Sequence, residues 1–200
     1  MTSRTTVSRP PRAQVRERIL VAALAEFSVR GFDSATLDAI AVAAGFTKGA
    51  VYSNFGSKED LFYALMDQQI DTRSQLVADV LANLPADASD ARTALGTRLT
   101  GAIVANREWQ LLFMDYWARA LRDPDVGARF ADHRRQVRAS ITEAVQQALS
   151  STVTTDVPAE WVTFVLLGLS NGLAIEELAE PGVVPVELIG EVLGRLVTVG

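Results

Sequence analysis

An all-α chain of about nine helices is predicted by three features of this 200-residue sequence. Apolar residues recur at i, i+3, i+4 and i+7 in one stretch after another. No run alternates apolar and polar residues as a half-buried strand would. The breaks between stripes carry Gly, Pro or an N-capping Ser, Thr or Asp. These breaks divide the chain into a basic, flexible arm at residues 1–12, a three-helix unit at 13–58 and a larger helical body at 59–200.

From Ala13 to Arg30, Leu20, Leu24 and Phe27 share a face with Ile19 and Ala23. Gly31 ends that helix, and Phe32 is placed to insert beneath the next one. Leu37, Ile40, Ala41 and Ala44 form a short stripe with Thr36 as its cap. Gly45 supplies the tight turn, and Thr47 caps a second short helix whose Val51 and Phe55 face inward. Two short helices joined by a turn containing Gly make a helix-turn-helix. Lys48, Gly49, Ala50, Tyr52, Ser53 and Asn54 are left outside. Small residues let a backbone enter the major groove of DNA, while Lys, Ser, Asn and Tyr reach bases or phosphates. A solvated face on an ordinary helical hairpin is the competing account.

Ser57 and Asp60 cap a long helix reaching about Leu84, which stops at Pro85 and acts as a rigid rod between the two parts. Helices follow over about 91–106 and 108–121. Asp123-Pro124-Asp125 starts another, with Val126, Phe130, Val137, Ile141, Val145 and Leu149 on its apolar side. Ser150 to Thr155 has no apolar period and is expected to be a loop. Pro158 opens a helix that is apolar nearly all round until Pro181-Gly182, and the last runs from about 185 to 197.

Composition narrows the function. The chain has no cysteine and a single histidine, His133, so neither thiol chemistry nor a metal site is expected. With no paired acids in a pocket motif, no catalytic set or cofactor is expected either, and the chain is not expected to be an enzyme. No apolar run near the 18 to 20 residues of a membrane span is anticipated, and the polar N-terminus is unlike a secretory signal, giving a cytoplasmic reading. The net charge of −5 hides an asymmetry. Residues 1–58 hold eight Lys/Arg against four Asp/Glu, while 59–200 hold eleven against twenty. A basic head on an acidic body suits a protein that offers one end to phosphates.

The run from Thr47 to Phe62, with Gly49, Val51, Tyr52, Asn54, Phe55, Lys58, Glu59 and Leu61 at their spacings, resembles the recognition helix and following turn of the tetracycline-repressor (TetR) family. Ala25 to Thr36 matches the end of that family's first helix and its loop. The resemblance covers about residues 14–65. It implies a transcriptional regulator, most often a homodimeric repressor released from a palindromic operator by a small ligand. A closed core answering to a protein partner or to nothing, or an activator, remains the alternative.

On that reading Thr36, Thr47, Lys48, Gly49, Ala50, Tyr52, Ser53, Asn54 and Lys58 contact double-stranded DNA. Trp109, Phe113, Tyr116 and Trp117 share one helix face where the family builds its effector pocket, and with Phe130, His133 and Phe164 they are candidates to line it for an apolar or aromatic ligand. Plain core is the other reading of that face, and a capped or solvated position is the other reading of His133. Gly168 with Gly172, and Gly190 with Gly194, suggest close helix approach; with Trp161 they are assigned to the homodimer interface by resemblance, or else to the chain's own core. Arg134-Arg135 and Glu176-Glu177 read as solvated faces.

Overall fold

The computed structural model describes residues 10–83, 85, 87–104, 106–154, 156–196 and 198–199. Among them lie nine helices: α1 (Arg12–Ser34), α2 (Leu37–Ala44), α3 (Lys48–Phe55), α4 (Lys58–Ala82), α5 (Ala88–Val104), α6 (Arg107–Ala120), α7 (Pro124–Thr152), α8 (Ala159–Ala179) and α9 (Leu188–Leu196). The chain divides into two compact units, one ending at Met66 and the other beginning at Asp67, so the division falls within α4. The basic-arm reading of residues 1–12 lies outside the described residues for positions 1–9.

The first unit is built on α1, α2, α3 and the start of α4. Gly31 interrupts α1 at φ 72°, and the chain beyond it returns Phe32 to the interior. Phe32 stacks on Phe27 at 5.8 Å and meets Phe62 edge-on at 5.0 Å. Ile19, Ala23, Ile40, Val51, Leu61 and Leu65 close the same core. Thr36 Oγ1 accepts from the Ala39 amide at 3.2 Å and Thr47 Oγ1 from the Ala50 amide at 3.3 Å, which fixes the starts of α2 and α3. Gly45, at φ 72° and ψ 33°, makes the left-handed turn between them. Ser57 Oγ caps α4 by accepting from the Asp60 amide at 3.0 Å.

The second unit packs α5 against α9 and α7 against α8 and α6. Its core includes Val80, Leu99, Val137, Ile141, Val162, Leu166, Ile189 and Leu193. Asp123 caps α7 as anticipated, accepting from the Asp125 and Val126 amides at 2.9 and 3.3 Å. Three expectations are corrected here. Residues 150–154 of the expected Ser150–Thr155 loop are not a plain loop, and Thr155 lies outside the described residues. α7 continues to Thr152, and Val153–Thr154 then pairs antiparallel with Thr198–Val199, a local pairing suited to β-branched residues. Glu177 is no idle solvated acid, since its carboxylate accepts from the Gly182 amide at 2.7 Å and so holds the turn after α8. Finally, α8 is long and apolar enough to cross a membrane by length and composition, with a mean hydropathy of 1.4 over its best window. One side of it packs into the bundle through Val162, Leu166 and Ala174.

Candidate nucleic-acid interface and buried cavity

On α3, Val51 and Phe55 are buried while Lys48, Gly49, Tyr52 and Ser53 are exposed, as the spacing required. A Cβ at Gly49 would meet only Thr47 Oγ1, at 3.9 Å. Nothing inside the chain therefore asks for glycine there, although glycine in a helix costs about 0.5–1 kcal/mol relative to alanine. The remaining polar groups are partly engaged. Lys48 Nζ donates to Asp38 at 2.8 Å between two exposed side chains, and that carboxylate raises the lysine pKa. Ser53 Oγ and Asn54 Nδ2 both donate to the Ala50 carbonyl, at 3.0 and 2.8 Å. Asn54 Oδ1 is buried and has no partner among the described residues.

Three arginines of α1 brace α2 and α3 from behind. Arg18 donates to the Ala44 carbonyl at 2.8 Å, closing the C-terminus of α2. Arg16 donates to the Asn54 carbonyl at 3.1 Å and lies over the Phe55 ring, and Arg12 reaches the Ser53 carbonyl at 3.4 Å. Cations near a helix C-terminus favour its orphan carbonyls and negative dipole end.

Lys58 departs from its expected phosphate role. Its ammonium donates to the carbonyls of Phe32, Asp33 and Ala35 at 2.8, 3.1 and 3.2 Å and sits over the Phe32 ring. All three ammonium protons are thereby used inside the chain. Its replacement by alanine is expected to cost about 1–3 kcal/mol by orphaning those carbonyls. A urea titration of Lys58→Ala checks this; an unchanged midpoint would return Lys58 to the DNA contacts.

In the second unit a cavity of about 120 Å³ lies among α4, α5, α6, α7 and α8. By that measure one water needs about 10–15 Å³, so the space admits on the order of ten. Of the residues proposed from the sequence as ligand-lining, Trp109, Phe113, Phe130 and His133 border this cavity. The other aromatic candidates do not. Tyr116 is fully buried one layer back, edge-on to Phe130 at 5.1 Å and bonded to His133 Nδ1 at 3.1 Å. Trp117, one residue on, rotates away and is 44% exposed. Phe164 is 60% exposed and borders a separate surface pocket with Arg138 and Thr142. The stripe from Trp109 to Trp117 is wider than one cavity wall, so only its earlier half reaches the space.

The sequence reading missed the cavity's polar members: Arg73, Ser74, Gln110, Arg134, Ser170 and Asn171. Arg134 is corrected from a solvated face to a cavity wall with its guanidinium over the Phe113 ring; Arg135 beside it is exposed and paired with Asp132. The overlooked signal was a charge inside an apolar stripe. Arg73 sits between Ile70 and Val77, and Arg134 between Phe130 and Val137, at helical spacing.

His133 Nε2 lies 2.7 Å from an Asp67 carboxylate oxygen and Nδ1 lies 3.1 Å from the Tyr116 hydroxyl, so both ring nitrogens have a polar partner. Burial lowers its pKa; Asp67 and Asp71 oppose that and Arg129 adds to it. Burial prevails because Asp67 is half exposed and screened by water. Below about pH 6.5 the unfolded chain therefore takes up a proton that the folded chain resists. Stability contributed here is complete above that pH and lost as pH falls through the range beneath it. His133 is the chain's single histidine, so His133→Gln is expected to flatten the decline in melting temperature between pH 7 and 5.5. An equal decline in both proteins would place the titrating group elsewhere.

Residues 19–65 match the family described as bacterial regulatory proteins, tetR family, and residues 92–198 match the C-terminal part of the BetI-type transcriptional repressors. The second match alone spans more than half of the chain. The chain belongs to the TetR family. It is a TetR-family DNA-binding transcriptional regulator. The transcriptional repressor AcnR of Corynebacterium glutamicum is 27% identical over 180 residues, covering 82% of this chain and 87% of that protein. AcrR of Shigella flexneri is 38% identical over 74 residues, 37% of this chain, and the chain spans only 34% of AcrR. A TetR-family regulator of Mesorhizobium loti shares the fold, with a TM-score of 0.71 at 21% identity, covering 94% of this chain and 96% of the other.

In the family's terms, the dimer candidates separate into two groups. Gly168 and Gly172 are exposed, and a Cβ at either meets nothing within 4 Å. Trp161 is also exposed, at 66%. Gly190 is buried within its own chain, in the helix that packs on α5, so it is corrected from the interface to the core. The surroundings of Gly194 lie outside the described residues.

Proposed function

We propose that the protein is a homodimeric repressor that reads a palindromic operator through α3 and releases it when a small organic molecule fills the second unit's cavity. The observation carrying the DNA half is Gly49. A helix keeps a costly glycine on an open face when something outside must approach the backbone. Lys48, Tyr52 and Ser53 surround it, and Lys48 can exchange Asp38 for a phosphate because both side chains are exposed. Thr36, Thr47, Ala50 and Asn54 support this surface, chiefly by fixing the helix starts and the α3 backbone.

The ligand half rests on the cavity, which favours a small-molecule signal over a closed core. One helix, α4, supplies Lys58 to the first unit and Ile70, Arg73 and Ser74 to the cavity wall, giving ligand binding a covalent route toward the reader. Release follows if the ligand prefers the conformation that fits the operator poorly. A preference of about 3 kcal/mol weakens DNA binding roughly a hundredfold.

Mobility shifts with operator and unrelated DNA, at several salt concentrations, test the DNA half. Lys48→Ala and Tyr52→Phe are each expected to weaken specific binding by about 1–3 kcal/mol. Gly49→Ala is expected to stabilise the fold by about 0.5–1 kcal/mol while weakening operator binding, a split that no purely structural role gives. Unchanged affinity in all three variants would remove α3 as the reader.

A further inference from the structure

The cavity's electrostatics go beyond an apolar ligand. Arg73 and Arg134 both line it, and no Asp or Glu is among its lining residues. Neither arginine has a carboxylate partner among the described residues, and Arg73 Nε is buried without any hydrogen-bond partner. Each guanidinium instead faces a ring of α6: Arg73 at 4.9 Å from the Trp109 centroid, Arg134 at 5.9 Å from that of Phe113. His133, the remaining basic group, is already committed to Asp67 and Tyr116.

Two unpaired guanidinium groups at the edge of an apolar space are expensive to fold. Burial lowers the pKa of Arg73 to about 10 and lowers that of Arg134, with Arg138 adding to the latter. A guanidinium offers planar, paired donors that match a carboxylate, and an Nε without a partner is one half of such a fork. The positions were also costly to fill with charge, since both lie within apolar helix stripes where a Leu or Met would pack.

We propose that the cavity takes an amphipathic carboxylate, its head held by Arg73 and Arg134 and its chain or ring of roughly ten non-hydrogen atoms lying against Trp109, Phe113 and Phe130. This rests on the reading of the cavity as a ligand site, and it names the ligand's class. The trimethylammonium type of ligand is disfavoured, because its cation would meet two cations and no anion. A Saccharomonospora viridis regulator solved with choline has this fold at a TM-score of 0.67 and 18% identity, so the fold alone does not set the sign of the ligand.

The test is isothermal titration calorimetry on the full chain at pH 7.5, with two matched pairs: octanoate against 1-octanol, and 3-phenylpropanoate against 3-phenylpropan-1-ol. At least one acid is expected to bind tenfold or more tightly than its alcohol. Arg73→Met and Arg134→Met are each expected to erase that preference while leaving alcohol binding within about twofold. Arg73→Met is further expected to raise the melting temperature of the free protein by relieving an unpaired buried charge. Alcohols binding as well as acids would overturn the anion assignment and leave the ligand site standing. No binding of any probe, with tryptophan fluorescence also unmoved, would overturn both. A lowered melting temperature with undiminished acid preference would make Arg73 a structural prop and overturn the inference.

Discussion

Tyr116→Ala is expected to cost about 3–5 kcal/mol, whereas Trp109→Ala, seven residues earlier on the same helix face, is expected to cost clearly less. Tyr116 has no exposed surface; its ring is packed edge-on to Phe130 and its hydroxyl is bonded to His133. Truncation would leave a void at the join of α6 and α7 and strip the histidine of one partner. Against a total stability of about 5–15 kcal/mol, such a loss takes much of the margin. Trp109 already borders empty space, so truncation enlarges a cavity rather than creating one. Its removal should spare operator binding and abolish the response to ligand. Thermal melts alongside ligand-dependent mobility shifts check both halves. Equal, severe destabilisation by the two substitutions would make the aromatic face plain core.

The contrast between these two residues shows how far the sequence reached. Period and capping located the helices because those signals are local: Thr36, Thr47 and Asp123 each satisfy amides two or three residues away. The outer face of α3 was legible for the same reason, since Val51 and Phe55 alone decide which side of the helix remains outside. The cavity was only half legible. Helical spacing puts Trp109, Phe113, Tyr116 and Trp117 on one side of α6, yet a helix side spans more than one environment. Which of them meets empty space depends on α4 and α7, and no local rule carries that. Lys58 failed similarly. Its position after α3 suggested phosphate, but its partners are carbonyls in the last turn of α1 and just beyond it, more than twenty residues earlier. The arginines of the cavity were visible as charges interrupting apolar stripes, and they were passed over because a charge on a helix is usually solvated.

Phe164→Glu and Gly168→Leu are expected to convert the protein to monomer and to reduce operator affinity at least a hundredfold. The reason lies in the outer face of α8. Trp161, Phe164, Val165, Gly168, Gly172 and Ile175 fall at i, i+3, i+4, i+7, i+11 and i+14, so they form one stripe, and every one is exposed in the single chain. Large apolar residues gathered in one patch, with glycines between them, mark a surface meant to be covered. A second copy covers it most economically, because a two-fold axis presents the same stripe to itself. Phe164→Glu would then bury two like charges near one another, and Gly168→Leu would hold the paired helices apart. Neither change touches the chain's own core, so each monomer should fold with little change in melting temperature under dilute conditions. The effect on DNA follows from linkage of the two reading heads. In the dimer the second head binds at a high effective concentration, and that advantage is worth roughly 10²–10⁴ in affinity. A monomer forfeits it while keeping α3 intact. Light scattering of wild type and variants, with mobility shifts on full and half operators, separates the possibilities. A wild-type protein that stays monomeric at micromolar concentration, or variants that remain dimeric with full operator affinity, would refute this assignment of α8.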